Sequence, residues 1–474
     1  MLSALVATAL TGTPLAAIAH SPAGTVVGVI ERDNAVYRGI PYAKHPVGAL
    51  RWRAPKPLQR WRDVYEAHAF GPTCMQASPK GDAGVGKEPP SEDCLTLNIW
   101  TPPGRRNLPV MVWVHGGGYT SGSSSAPLYD GGALARRGVV VVTFNYRLGR
   151  FGFFHHPGLN QREGSNFGLL DQQAVLRWVR RNIASFGGDP KRVTLFGNSA
   201  GGESILFHMT SRATPGLFHR AIVQSGLGGR ALRRNTESID RDRAVTPLPS
   251  LRALSAAEIL AWGTPSLYRG FGPTMDGVTV NEPIEAAFGA ERQAAVPMII
   301  GYNGFEFPPA LIGGRAAAAA LIGGDSERRD EGIAAYGSID AYEEQIASDI
   351  LFRAPALRLA TAHARAGCPT WAYAFDVVSP AASARLRGAP HASERAYVFH
   401  TLPHLGWPTD TRDTAIADVL SDRWTEFAAT GAPADQTAWP RSGPADVAPW
   451  LIAYDPMRKF TPMSAAWRSH HGIK

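Results

Sequence analysis

The feature that most restricts what this chain can fold into is a series of unbroken apolar runs. Pro109 to Val114 (PVMVWV) and Val139 to Tyr146 (VVVVTFNY) show no alternation of apolar and polar residues over most of their length. A strand with one wet face alternates, so such runs suit strands buried on both faces, which means a largely parallel sheet covered by helices. Val193 to Phe196, Ala221 to Gln224, Val296 to Tyr302, Thr370 to Val377 and Trp450 to Tyr454 repeat the pattern, with helical stretches such as Leu169 to Phe186 between them. That alternation predicts βα units around one central sheet. Thr25 to Ala43 and Cys94 to Thr101 are alternating, β-branched and broken by Gly and Pro, and read as antiparallel strands at the N-terminal end. The expected class is α/β, with a central, mostly parallel sheet flanked by helices. A chain of 474 residues has ample length for one large core, and 50 Gly with 37 Pro supply the turns. Arg230 to Ser255 reads as an excursion over the sheet, and Arg315 to Leu321 (RAAAAAL) as a short helical run.

The charge balance, 48 basic against 40 acidic residues, is +8. Lysine occurs at only seven positions, and the arginines are spread along the chain without a polybasic run, which argues against nucleic acid as a partner. No stretch is apolar enough to span a bilayer. The nearest, Leu2 to Ala19, ends in the small-x-small pattern Ala17-Ile18-Ala19 of a signal-peptidase site, although no basic residue precedes it. Residues 1–19 are therefore read as an export leader and 20–474 as one domain, periplasmic or secreted, with a cytoplasmic chain as the alternative. The three cysteines, 74, 94 and 368, lack the CxxC spacing of zinc or redox sites. Cys74 and Cys94 flank a step rich in Gly, Pro, Ser and charge, so they either close an exposed loop as a disulfide or are two buried thiols.

Gly197-Asn198-Ser199-Ala200-Gly201 matches G-x-S-x-G between the strand-like VTLF and the helix-compatible GESILFHM. A serine on a sharp strand-to-helix turn needs neighbours without side chains, because strand and helix approach closely there. Its hydroxyl needs a base, and tetrahedral chemistry needs donors for an oxyanion. His115-Gly116-Gly117-Gly118-Tyr119, at the end of the VMVWV run, offers consecutive backbone N–H groups, and Ala200 N–H follows the serine directly. Gly81 to Lys87 imitates the start of a phosphate-binding loop, but Glu88 stands where Ser or Thr is required and Pro89-Pro90 follow, so no helix can begin there. Downstream histidines are 363, 391, 400, 404, 470 and 471. His363 lies in a helical stretch and is expected to be exposed, His400 and His404 follow an apolar turn, and His391 sits on the small-residue loop Gly388-Ala389-Pro390-His391-Ala392, which makes it the best base. For the acid, Glu306 follows the strand VPMIIGYNG; Asp276, in GPTMDG, is the rival, although Asp-Gly reads first as a turn.

These segments together resemble the type-B carboxylesterase/lipase family of α/β hydrolases, the group of bacterial para-nitrobenzyl esterases and animal cholinesterases. The matching blocks include 39–55, 91–100, 115–122, 145–154, 166–190, 193–204, 218–226, 300–306, 388–394 and 424–433. The resemblance implies an α/β-hydrolase fold and a serine carboxylic-ester hydrolase acting on a small-molecule ester, with no metal or organic cofactor. It implies Ser199, Glu306 and His391 as triad, Gly117, Gly118 and Ala200 as oxyanion donors, Ser225 as a supporting residue, and a disulfide between Cys74 and Cys94. Arg51 with Glu92 and Arg147 with Asp171 resemble the family's structural ion pairs. Other acyl hydrolysis on the same triad, by a lactonase, thioesterase or amidase, is the runner-up, and a non-catalytic binding module of the same fold is the reading from a different class. Four departures bear on function. Asn198 stands where Glu is usual, the 74–94 loop has no aromatic residue for a cationic substrate, Phe305 and Phe307 flank the acid in place of Asp and Gly, and only the 45 residues 227–271 separate Gly226 from Gly272, implying a more open site.

Overall fold

The structure is a computed structural model that describes residues 16–77, 83–234, 236, 241–263, 271–308, 314, 326–434, 437–444, 447–454 and 465–473. Most of the leader-like segment, the start of the Gly81–Lys87 imitation and the run at 315–321 lie outside the described residues. Fourteen strands are described: β1 Ala16–Ser21, β2 Gly24–Glu31, β3 Asn34–Pro41, β4 Tyr65–Glu66, β5 Thr73–Cys74, β6 Pro90–Ser91, β7 Thr96–Thr101, β8 Leu108–Val114, β9 Val140–Phe144, β10 Gly188–Asn198, β11 Arg220–Gln224, β12 Met298–Asn303, β13 Thr370–Asp376 and β14 Trp450–Ala453.

Twelve of them form one sheet in the order β1-β2-β3-β7-β9-β8-β10-β11-β12-β13-β14, with β4 beside β2. The pairs from β9 through β8 to β14 are parallel, and those from β1 to β9 along the N-terminal side are antiparallel. The unbroken runs explain the layering. Alternate residues of β8 divide between two cores, Val110, Val112 and Val114 on one face, Met111 and Trp113 on the other. The first face is covered by the helices Phe167–Asn182 and Ala200–Thr210, the second by Thr411–Thr430 through Leu420, Trp424 and Phe427. Each large apolar side chain buried this way contributes about 1.5–3 kcal/mol relative to exposure.

The end of the segment expected as a leader overlaps the first strand. Ala16–Ala19 belong to β1, paired with Val26 to Val29 of β2, and Ala17 and Ala19 are buried. A chain trimmed after Ala19 would lose two-thirds of an edge strand and two core side chains. The excursion after Gly226 is partly described: Leu248 and Leu251 pack with Trp52 and Phe154, and Arg51 donates to the Leu254 carbonyl at 2.6 Å while pairing with Glu92. Arg147 and Asp171 form the second expected ion pair, bidentate at 2.7 and 2.8 Å and buried.

Cys74 and Cys94 form a disulfide, and Cys368 is a buried free thiol. The bond ties the end of β5 to the approach to β7 across a sequence separation of 20. Closing a loop of that length stabilises the fold by about 3 kcal/mol on the chain-entropy account. Cys94→Ser is expected to lower unfolding stability by roughly that amount, measured by denaturant titration. Oxidised wild-type protein should release one titratable thiol, from Cys368, and only after unfolding.

Candidate active site

The site begins with crowded backbone. β10 ends at Asn198, Ser199 adopts φ 58° and ψ −124°, and the helix Ala200–Thr210 starts at the next residue. A left-handed serine stores strain of about 1–3 kcal/mol. Neighbours hold it there: Ser199 N–H donates to the Gln224 carbonyl at 2.9 Å, and its own carbonyl accepts Glu203 N–H at 2.8 Å. The flanking glycines are required by contact. A Cβ on Gly197 would lie 2.6 Å from the Val114 carbonyl oxygen, and one on Gly201 would lie 2.0 Å from the same atom.

The loop after β8 closes over this turn. A Cβ on Gly116 would meet the Asn198 carbonyl oxygen at 2.7 Å and the Ser199 Cβ at 3.2 Å, so the loop rests against the serine. Gly117 and Gly118 follow at φ 106° and 60°. Their N–H groups meet no acceptor among the described residues. Ala200 N–H belongs to the first turn of its helix, where no intrahelical acceptor exists. The glycine loop, through Gly116, and Ala200 thus both adjoin the same serine.

On the neighbouring strand ends, Glu306 is buried and fully engaged. Its Oε1 accepts from Ser225 Oγ and Asn303 N–H, both at 2.6 Å, and its Oε2 lies 2.6 Å from His391 Nδ1. With the proton on Nδ1, the imidazole donates to the carboxylate and leaves Nε2 as the basic nitrogen. That Nε2 is buried without a hydrogen-bond partner among the described residues. Ser225, at φ 49°, is fixed by its own N–H bond to the Gly301 carbonyl.

The rejected candidates have structural duties. Asp276 organises a turn, with Oδ1 accepting from the N–H groups of Val278, Thr279 and Val280 and Oδ2 from Ser165 N–H. His363 is buried and not exposed as expected, because its side of the helix Ala354–Arg365 faces the core: Nε2 meets the Val296 carbonyl at 2.9 Å, and burial lowers its pKa. His400 pairs with Asp418 at 3.0 Å, and His404 closes a short turn.

Sequence reasoning left out two buried carboxylates. Glu394, three residues after His391, accepts from Asn198 Nδ2 at 2.8 Å, Gln224 Nε2 at 3.0 Å and Asn303 Nδ2 at 2.7 Å. Burial raises its pKa, with the neighbouring Glu306 adding to the effect. Glu203, in the first turn of the elbow helix, accepts from Tyr119 Oη at 2.7 Å and pairs with Arg230 at 2.9 Å. It ties the glycine loop to the helix of the nucleophile turn and to the segment after β11. Among the described residues no group of three or more His, Cys, Asp or Glu is placed to hold a metal ion.

The strained strand-turn-helix at the C-terminal end of a central parallel strand, on this sheet, is the architecture of an α/β hydrolase. The chain belongs to the carboxylesterase family, whose model matches residues 16–318 and 335–465. It is 35% identical to the fumonisin B1 esterase of Sphingopyxis macrogoltabida over 461 residues, 90% of this chain and 84% of that one. It is likewise 35% identical to the para-nitrobenzyl esterase of Bacillus subtilis (strain 168), over 88% of this chain and 91% of the relative. A solved PNB esterase structure superposes with a TM-score of 0.81 at 33% identity, covering 96% of this chain and 99% of that chain. The protein is a carboxylic ester hydrolase. No helix among the described residues is long and apolar enough to cross a membrane.

The Asn198 amide explains how Glu394 is tolerated, and it carries a test. Asn198→Asp would set a second carboxylate about 2.8 Å from Glu394, where two like charges cannot both ionise cheaply. A carboxylate whose folded pKa is raised above its unfolded value of about 4.3 costs stability as pH climbs from that value. The melting-temperature deficit of Asn198→Asp relative to wild type should therefore be small near the unfolded carboxylate pKa and widen as pH rises to neutrality. A deficit independent of pH would refute it.

Proposed function

We propose that the chain hydrolyses its ester through an acyl-enzyme, with Ser199 as nucleophile, His391 as general base and then acid, and Glu306 as the carboxylate that fixes and balances the imidazole. The 2.6 Å contact between Glu306 Oε2 and His391 Nδ1 carries this reading, because it leaves Nε2 as the nitrogen able to take a proton. As Ser199 Oγ attacks the ester carbonyl, its proton passes to Nε2, and the N–H groups of Gly117, Gly118 and Ala200 receive the negative oxygen. His391 then protonates the departing alcohol. Water repeats the sequence on the acyl-serine, releasing the acid and restoring the hydroxyl. Ser225 and the Asn303 N–H occupy Oε1, so Glu306 is held to a single orientation toward His391.

For substrate, we favour small uncharged esters. The 74–94 loop has no aromatic ring to receive a cation, and Glu394, the acid beside Asn198, is engaged by three amide donors. Export remains part of the proposal, with the requirement that any leader be cut before Ala16 so that β1 is kept.

An organophosphate should add stoichiometrically to the peptide carrying Ser199, and Ser199→Ala should lower kcat on a p-nitrophenyl ester by about 10⁴-fold or more. Label on another residue, or a mutant at the wild-type rate, sinks the assignment. Glu306→Gln should cost several orders of magnitude and Asp276→Asn little; the reverse would transfer the acid's role to Asp276.

A further inference from the structure

His391 is packed against two phenylalanines. Its ring centroid lies 4.7 Å from that of Phe307, at an interplanar angle of 31°, and 4.8 Å from that of Phe352, at 45°. Phe307 and Phe352 stack on each other at 5.1 Å and 30°. The three centroids make a nearly equilateral triangle, so both phenylalanines lie on one side of the imidazole rather than sandwiching it. Phe307 and Phe352 are buried, whereas the imidazole keeps some exposure.

Each ring is anchored independently of His391. Phe307 sits one residue beyond Glu306, and its N–H donates to Ser348 Oγ at 3.1 Å. Phe352 lies in the π-helical turn Asp349–Arg353 that joins the helices Ile339–Ser348 and Ala354–Arg365. That turn is itself fixed: Asp349 and Arg353 pair at 3.1 Å in a fully buried setting, and the Arg353 guanidinium lies over the Tyr302 ring of β12 at 5.6 Å. Single π turns inside helices are rare and recur at functional sites. His391 itself stands on a loop, with Ala392 at φ 67°, and the Glu306 bond is its one polar tether among the described residues.

We infer that Phe307 and Phe352 are positioning residues for the general base: together they form an apolar wall that holds the His391 ring and keeps water from its bond to Glu306. This rests on the reading of His391 as the base. One hydrogen bond leaves an imidazole free to swing about the axis of that bond, and a ring wall against one side blocks the swing toward it. Aromatic faces also favour the imidazolium that forms as Ser199 loses its proton. The consequence falls on the chemical step rather than on substrate binding, since neither ring supplies an oxyanion donor.

The test uses the full-length enzyme with Phe307→Ala and Phe307→Leu, both checked for a wild-type circular dichroism spectrum and a cooperative melt. Phe307→Ala should lower kcat by about 10- to 100-fold, the cost of a misplaced catalytic group, with KM within about threefold. Phe307→Leu, which restores apolar bulk without an aromatic face, should fall between it and wild type. The far-downfield proton resonance expected for the His391 Nδ1–H in wild type should weaken in the same order. If Phe307→Ala does not fold, Phe307→Leu carries the test alone, with a kcat loss of about three- to tenfold expected. Wild-type kcat and resonance in a folded variant, or a loss confined to KM, would overturn the inference. Ser199→Ala and His391→Ala run alongside separate the two levels: if both remain active, the triad reading has failed, and if both are inactive while Phe307→Ala is normal, only the wall has failed.

Discussion

The site depends on a single carbonyl. The Val114 oxygen at the end of β8 lies where side chains on both Gly197 and Gly201 would have to be, so β10, the nucleophile turn and the following helix can come together only with hydrogen at both positions. The crowding does two things at once. It lets the chain turn sharply at Ser199, which sits at φ 58° just before the helix, and it brings the end of β8, with its glycine loop, against that same serine. Ser199 and the glycine loop are therefore brought together by one contact. Neither could be moved without losing the other.

Around that contact the problem becomes one of buried charge, since an ionised carboxylate away from water must be matched by donors or a cation. Three carboxylates lie close to the site, and each is matched differently. Glu203 has a guanidinium and a phenol, Glu306 has an imidazole, a hydroxyl and a backbone N–H, and Glu394 has only neutral amides. The pKa of Glu394 accordingly rises, with burial the largest cause. A neutral side chain at 198 fits this arrangement: an amide can donate to Glu394 where a second acid would repel it.

Much of this was legible in the sequence because the constraints are local. Unbroken runs such as PVMVWV marked strands buried on both faces, and the glycines of GNSAG and HGGG marked backbone that must touch backbone. Ser225 and Glu306 each follow a strand end, and the sheet brings those ends together. What could not be read was long-range. Glu394 and Glu203 look like ordinary helix acids until the fold supplies Asn198, Gln224 and Asn303 to one and Tyr119 and Arg230 to the other. His363 misled for the same reason, because a histidine in an alanine-rich helix gives no sign of which face meets the core. The ending at Ala19 reads two ways: small alternating residues suit a cleavage site, and they equally suit an edge strand packed on one face, as β1 is.

Residues 198, 305 and 307 look unrelated along the chain, yet they converge on the loop that carries His391. Phe305 N–H donates to the Ala389 carbonyl at 3.0 Å, and its Cβ lies 2.8 Å from where a side chain on Gly388 would begin, so any residue bearing a Cβ at 305 favours glycine at 388. Phe307 meets the imidazole face, and Asn198 holds Glu394 at the end of the same loop. Contacts from two strand ends, those of β12 and β10, thus grip one short segment on both sides of His391. Residues that share one loop are coupled through its geometry, so substitutions at 198 and 307 are expected to be non-additive.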